Sequence, residues 1–153
     1  MPARLEIALK ENLIDAEGEG IRQKAKDYFG IEISRIRTIV VLTIDADLTA
    51  EQLTSIQTEI FTNPVIQVSS YEPLPIDFDW DIWVGYRPGV RDNPGSTAAE
   101  AIEDLLGVRF GAHEAIYTSK RYCIEGGNLT ADDLDKIAAE LLANDIIQQW
   151  KIY

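Results

Sequence analysis

The sequence contains one histidine, His113, and one cysteine, Cys123, the two residue types most often found as catalytic bases and nucleophiles. His113 could complete a Ser-His-Asp arrangement, but no Gly-x-Ser-x-Gly nucleophile signature accompanies it. Cys123 lies in an apolar segment, where cysteine usually behaves as a small buried hydrophobe and not as a reactive thiol. We therefore predict no catalytic residue, with His113 in a loop and Cys123 in the core.

Metal and phosphate sites are equally poorly supported. One histidine and one cysteine cannot supply a zinc site, and the carboxylates lack the spacing of an EF-hand. The densest acidic cluster, Asp132-Asp133 with Asp135, falls at a predicted helix start, where acidic side chains favourably meet the helix dipole. Gly18-Glu19-Gly20 could cradle an anion at a helix start, but the nearby Asp15 and Glu17 would repel a phosphate, and a P-loop lysine is missing. We predict neither a metal nor a cofactor site, and interpret the glycines as turn and close-packing residues.

The three tryptophans are candidates for a core or an interface. Trp80 and Trp83 lie on one predicted strand and Trp150 on another. Because strand side chains alternate in direction, Trp80 and Trp83 point to opposite faces of a sheet. Large aromatic residues suit cores and interfaces alike, and we favour a core shared between the two halves of the chain.

Alternating and β-branched segments predict strands. They cover residues 4–10, 36–45, 65–71, 80–87, 115–125 and 146–152. Apolar residues at helical spacing predict a helix after the first strand of each half, capped by Asp15 in one case and by Asn93 in the other. Gly30 and Gly107 would end these helices.

A second helix is predicted in each half after Thr49-Ala-Glu-Gln52 and Thr130-Ala-Asp-Asp133, which have the spacing of capping boxes. The order of elements is therefore strand-helix-strand-helix-strand, twice.

The sequence contains an internal repeat. Asp15-Ala-Glu-Gly18 corresponds to Asp92-Asn-Pro-Gly95, and Leu48-Thr-Ala50 corresponds to Leu129-Thr-Ala131. The offset grows from 77 residues, between Asp15 and Asp92, to 81 residues, between Asn63 and Asn144. This period is too long for a solenoid and is typical of a duplicated domain-sized unit.

The fold class that follows is α+β, with two tandem strand-helix-strand-helix-strand units forming a pseudo-dimer with antiparallel sheets and two helices per unit. We expect the first unit at 1–73, a proline-containing linker at 74–79 and the second unit at 80–153. Two helices cover one face of a three-stranded sheet, so Ile39 and Val41 would lie on the uncovered face if Val40 and Leu42 point at the helices. We expect the second copy to bury that face, with an identical molecule or a larger partner as the alternatives.

Charge and composition limit the possible partners and location of the protein. The formal net charge of −12 argues against nucleic acid and against anionic lipid, since both require concentrated Lys and Arg. No apolar run is long enough to cross a bilayer, and the segment Met-Pro-Ala-Arg-Leu-Glu at residues 1–6 has none of the features of a secretory signal. We expect a cytoplasmic protein with no nucleic-acid or membrane partner.

The order of these motifs resembles the PurS family, the small subunit of phosphoribosylformylglycinamidine synthase, twice over. The matching segments are the opening strand with Asp15-Ala-Glu-Gly18, the fuller segment 84–95, the Leu-Thr-Ala helix starts, and the Asn-Pro-Val-Ile-Gln and Asn-Asp-Ile-Ile-Gln endings at 63–67 and 144–148. The sequence departs from the family pattern at Ala16, where the family has proline, and at Pro94, which falls one position late.

The resemblance implies a part in the fourth step of purine biosynthesis, the ATP- and glutamine-dependent formation of an amidine. In that family the PurS part is not catalytic. It dimerises and joins a synthetase component (PurL-like) to a glutaminase component (PurQ-like), and a duplicated PurS-like region forms the N-terminal domain of large single-chain synthetases. The expected partners are those two components, with possible self-association, and no residue of this chain is expected to be catalytic.

The main alternative is a tandem ACT-like module that binds a small regulatory molecule on a related sheet-and-two-helix plan. That plan needs a hairpin between its second and third strands, whereas no Gly, Pro or Asn interrupts residues 35–43. A small enzyme of the ferredoxin-like class is a third reading, and it would need a polar cluster that the sequence does not reveal.

Overall fold

The computed structural model describes residues 2–153, and within that range the predicted order of elements occurs twice. The first unit contains β1 (Ala3–Leu9), α1 (Ala16–Phe29), β2 (Arg35–Asp45), α2 (Ala50–Ile56) and β3 (Gln67–Ser70). The second contains β4 (Trp80–Tyr86), α3 (Asn93–Leu106), β5 (Ala115–Glu125), α4 (Ala131–Ile137) and β6 (Gln148–Ile152). Both α2 and α4 continue into one wide π-helical turn, at Gln57–Phe61 and Ala138–Leu142.

The first helix of each unit begins at an aspartate and ends at a glycine. Asp15 Oδ1 accepts the Gly18 N–H at 2.9 Å, as predicted, but Asn93 is not the cap of α3. That cap is Asp92, whose Oδ1 accepts the Gly95 N–H at 2.9 Å, because its carboxylate, unlike an amide one residue later, also reaches the neighbouring strand. The predicted glycine ends are confirmed: Gly30 and Gly107 have φ of 65° and 67°, which glycine adopts without strain.

The second helix of each unit begins at a capping box, as predicted. The Thr49 hydroxyl accepts the Gln52 N–H and the Gln52 side chain accepts the Thr49 N–H, and Thr130 and Asp133 repeat the arrangement. The strands β3 and β6 begin later than predicted. The residues before them form turns, in which the Gln67 and Gln148 N–H groups donate to the carbonyls of Asn63 and Asn144.

The strands form one continuous antiparallel sheet in the order β3-β1-β2-β5-β4-β6. At its centre β2 and β5 pair over all eleven residues, from Arg35 opposite Glu125 to Asp45 opposite Ala115. Val40 lies opposite Lys120 in the middle of this ladder, which marks the pseudo-twofold axis. The predicted α+β pseudo-dimer is confirmed, with the two sheets fused edge to edge into one.

All four helices lie on one face of the sheet, and the first helices are exchanged between the units. Ile21 and Ala25 of α1 pack in a cluster with Ile82 and Ile124 of the second unit. Conversely, α3 packs in the cluster built mainly from first-unit residues. Each half of the sheet is therefore covered by its own second helix and by the other unit's first helix, whereas the sequence suggested that each unit covers its own sheet.

The other face carries Ile39 and Val41, as predicted, but the second copy does not bury it. The copies meet edge to edge, so neither can lie on the other's sheet face. The cover comes instead from residues 72–79, called the strap here, which connect β3 to β4 across this face. Leu74 and Ile76 of the strap pack on a cluster that includes Ile39 and Val41.

Candidate functional site

A groove opens on the helix side of the sheet at the pseudo-twofold axis and divides into two adjoining pockets. Both pockets contact Val40, Pro94 and Thr118. One pocket extends toward the second unit and has a volume of about 440 Å³, and the other extends toward the first unit and has a volume of about 660 Å³. The two are related by the pseudo-symmetry of the fold, since Phe61 closes one and Leu142 closes the other at the ends of equivalent π-helical turns.

The pocket on the second unit's side is the more polar of the two. Lys120 Nζ donates to Glu17 Oε1 at 2.8 Å, and the Tyr122 hydroxyl lies 3.4 Å from the same oxygen. Burial, together with the Glu17 carboxylate, raises the pKa of Tyr122, so this hydroxyl is a proton donor and not a base. Gln148 completes the polar lining.

The pocket on the first unit's side is apolar. Its walls are Ile7, Leu42, Ile60 and Phe61, and the position that Lys120 occupies across the axis is taken here by Val40. Pro94 and Ala98 of α3 form the rim. Equivalent positions of the two units thus present different chemistry on one surface.

The entrances to both pockets are fixed by the helix caps. The Asp15 carboxylate accepts the Thr38 N–H at 2.7 Å and the Thr38 hydroxyl at 2.8 Å, which ties the start of α1 to β2. Asp92 does the same to Thr118 at 2.6 Å and 2.7 Å, which ties the start of α3 to β5. The Asp-x-x-Gly segments that make the sequence repeat visible are therefore the anchors of the groove.

A buried cluster of charges lies under the strap. The Arg121 guanidinium donates to Glu6 Oε2 at 2.8 Å and, through Nε and Nη2, to Asp81 Oδ2 at 3.0 and 2.8 Å. Glu6 Oε1 accepts the Leu74 N–H at 2.9 Å, so the cluster also fixes the strap. Arg121 lies 5.4 Å from the centre of the Trp83 ring, within the range of a cation–π contact.

The sequence did not reveal this cluster. Its members come from three strands and meet only when β1, β5 and β4 are brought into register. One signal was present: Glu6 stands between Leu5 and Ile7, and Asp81 stands between Trp80 and Ile82, so both point away from the helix-covered face.

His113 and Cys123 lie where the sequence predicted. His113 is exposed in the turn before β5, and Cys123 is buried at 1 % exposure beneath the strap. Burial raises the pKa of the Cys123 thiol to about 12, which removes the thiolate needed for nucleophilic attack. The two side chains lie in different parts of the structure and are not brought together.

The acidic and glycine-rich segments have structural roles. Asp133 closes the capping box of α4, and no group of three potential metal-ligating side chains occurs among residues 2–153. Gly18 packs against β2, since a Cβ there would lie 2.2 Å from the Ile36 carbonyl oxygen. Gly20 meets nothing within 4 Å.

The tryptophans divide between the two faces of the sheet, as the alternation predicted. Trp80 and Trp150 pack on the cluster that the two units share beneath the helices. Trp83 lies on the opposite face, where its indole N–H donates to Asp81 and its ring stacks edge-on with Tyr153.

Two equivalent turns present aliphatic side chains to solvent. Val65 is 76 % exposed in the turn before β3, and Ile146 is 84 % exposed in the turn before β6. Because β3 and β6 are the two edges of the sheet, these turns lie on opposite sides of the molecule.

These features define a duplicated α+β module with a continuous central sheet, whose distinctive surfaces are a divided groove and two apolar edge turns. Residues 2–74 match the model of the family described as PurS, phosphoribosylformylglycinamidine (FGAM) synthase. The first unit is therefore a PurS-like domain, and its match supports an association with FGAM synthase in purine biosynthesis. No curated protein matches the chain. No helix in the described part of the chain has the length and apolarity to span a bilayer.

Proposed function

We propose that the chain is a non-catalytic assembly subunit or domain of phosphoribosylformylglycinamidine synthase, which joins the synthetase (PurL-like) component to the glutaminase (PurQ-like) component. The observation that carries this proposal is the PurS match of the first unit together with a second unit of the same fold, fused to it through β2 and β5. We take the units as residues 1–73 and 80–153, with the linker at 74–79. A module of this kind works through surfaces and needs no reacting groups of its own.

The asymmetry of the groove supports binding of two different partners. A dimer of identical chains presents the same residue at both equivalent positions, whereas this chain has Val40 on one side of the axis and Lys120 on the other. An apolar pocket and a pocket with charged and hydroxyl groups select different partner surfaces, because each would leave the wrong partner with unpaired polar groups or unburied apolar area.

The edge turns place two docking points far apart. Five inter-strand steps of about 4.8 Å separate β3 from β6, so the turns that carry Val65 and Ile146 lie roughly 24 Å apart across the sheet. The two edges therefore offer separate contact surfaces for two components.

The formal net charge of −12 argues against nucleic acid as a partner, and we propose a cytoplasmic location and possible self-association through the same surfaces. The absence of a hairpin in β2, from Arg35 to Asp45, supports this proposal over the ACT-like alternative.

The proposal is tested by titrating the full chain against the synthetase and glutaminase components of the same source, with glutamine and ADP present. We expect binding to both components and restoration of glutamine-dependent amidine formation. Failure to bind one or both components, or an unchanged rate of amidine formation, would contradict the assembly role.

A matched pair of variants tests whether each edge turn binds a different component. Val65→Asp and Ile146→Asp place a charge at equivalent, largely exposed positions, so neither should affect folding. We expect each to weaken binding of one component by about tenfold or more and to leave the other unchanged. Ile14→Asp, at a position that is 81 % exposed outside both turns, is the control and should change neither.

A further inference from the structure

Arg37 is a buried cation without a carboxylate partner. It is 5 % exposed on the strap side of β2, and one of its terminal nitrogens donates to the Leu9 carbonyl. Its Nε has no hydrogen-bond partner, and among residues 2–153 no carboxylate oxygen lies within 4.0 Å of the guanidinium. Arg121, on the same face, is paired with two carboxylates. An unpaired buried charge is costly, so Arg37 is the position on this face where an external anionic group would be stabilised most.

Arg37 lines a cavity of about 210 Å³ between the sheet and the strap. The apolar walls are supplied by Val68 from the sheet and by Leu74 and Ile76 from the strap. The volume is below the ~300–1,000 Å³ of pockets that hold drug-sized ligands, so the cavity suits a smaller molecule.

The four charged side chains that line the cavity have a net charge of zero. Arg35 and Glu11 lie 3.8 Å apart and neutralise each other in part. Arg37 and Asp77 remain as one cation and one anion, and Asp77 is exposed at the edge of the strap. A phosphate would gain from one of these groups and be repelled by the other, whereas a zwitterion satisfies both.

We propose that this cavity binds a small free α-amino acid with an apolar side chain. The carboxylate accepts hydrogen bonds from Arg37, the ammonium group faces Asp77, and the side chain packs on Leu74 and Ile76. Since three of these groups belong to the strap, the site exists only because the two units are joined in one chain. The binding of an amino acid here is independent of the assembly role.

The test uses the full chain labelled with ¹⁵N, followed by NMR at the Arg37 Nε–H and at the Leu74 and Ile76 amides. The probe is L-valine, compared with isovalerate, which lacks the amine, with isobutylamine, which lacks the carboxylate, and with inorganic phosphate. We expect saturable shifts with L-valine, at a dissociation constant of about 0.1–10 mM, and affinities at least about tenfold weaker for the other three. The absence of saturable shifts with L-valine, or phosphate binding as tightly as L-valine, would overturn the proposal.

Variants separate binding from structural support. Arg37→Gln removes a charge that has no carboxylate within 4.0 Å and whose hydrogen bond goes to the Leu9 carbonyl, so we expect it to abolish L-valine binding while the protein stays folded. Asp77→Asn, at an exposed position, should weaken L-valine by about tenfold and leave isovalerate unchanged. Arg109→Gln makes the same charge change as Arg37→Gln at an exposed position outside the cavity and should bind as the wild type does. Wild-type affinity in Arg37→Gln, or in Asp77→Asn if the first variant does not fold, would refute the site.

Discussion

The glycine of the Asp-x-x-Gly segment sits where α1 comes closest to the sheet. A Cβ at Gly18 would lie 2.2 Å from the Ile36 carbonyl oxygen and 3.0 Å from its carbon, and both are backbone atoms that cannot swing aside. Gly95 has the same geometry in the second unit, with 2.3 Å to the Ile116 carbonyl oxygen. Gly20, two residues further along α1, meets nothing within 4 Å and provides a matched control.

The magnitude follows from what Gly18→Ala must displace. Relieving the overlap requires α1 to move away from β2, which stretches the 2.7 and 2.8 Å hydrogen bonds from Thr38 to Asp15. Overpacking costs about 1–3 kcal/mol and a weakened hydrogen bond about 1 kcal/mol, against a gain of about 1 kcal/mol from replacing glycine inside a helix. We expect Gly18→Ala to lower the free energy of unfolding by about 1–3 kcal/mol, and Gly20→Ala to raise it by about 0.5–1 kcal/mol.

Urea denaturation and thermal melting of the variants measure these changes. For a chain of this size, 1 kcal/mol corresponds to a shift of about 2–4 °C in melting temperature. Gly18→Ala and Gly95→Ala should therefore melt roughly 2–12 °C lower, and Gly20→Ala roughly 1–4 °C higher. If Gly18→Ala proved as stable as Gly20→Ala, the close approach of α1 to β2 would be refuted, and with it the explanation of the motif.

Three further outcomes are expected from the buried groups. Arg121→Met leaves Glu6 and Asp81 buried without a counter-charge and should lower the free energy of unfolding by about 3–5 kcal/mol in urea titrations; a loss below about 1 kcal/mol would contradict the cluster. Because burial raises the pKa of Cys123 to about 12, the native thiol should resist a disulfide reagent at pH 8 and react only after denaturation, and rapid native reaction would show that the strap does not cover it. Burial also raises the pKa of Tyr71 from 10.0 to about 12, so its contribution to stability is complete below pH 10 and lost as the pH rises through 12. Tyr71→Phe should flatten that part of the alkaline unfolding curve, and an unchanged curve would count against it.

Local signals in the sequence were sufficient for most of the secondary structure. The glycine helix ends and the capping boxes depend on contacts within a few residues, and each lies where its sequence pattern predicted. The order of elements in the two units likewise follows the sequence repeat. The one wrong cap, Asn93, shows the limit of this reasoning. Either Asp92 or Asn93 has the right chemistry for a cap, and the choice is made by the distant Thr118, whose N–H and hydroxyl both donate to the Asp92 carboxylate.

The arrangement of the units could not be predicted from local signals. Helical periodicity identifies the buried side of α1 but not the sheet against which that side packs. The packing of α1 on the second unit's half of the sheet could therefore not be predicted. The strap was identified as a linker from its prolines, but its role in covering Ile39 and Val41 depends on the path it takes across the sheet. The same path creates the cavity beside Arg37, whose walls come from three separate segments of the sequence, residues 9–11, 35–37 and 68–77.

Covalent fusion explains why the two halves can differ. In a dimer of identical chains, any substitution near the axis appears on both sides, so an apolar pocket cannot coexist with a polar one at equivalent positions. Here the axis passes between Val40 and Lys120, and each can change without the other. The exchange of α1 and α3 makes each half of the core depend on both units, which keeps the units together while their surfaces diverge. A scaffold that must hold two different components gains from this combination of a shared core and independent surfaces.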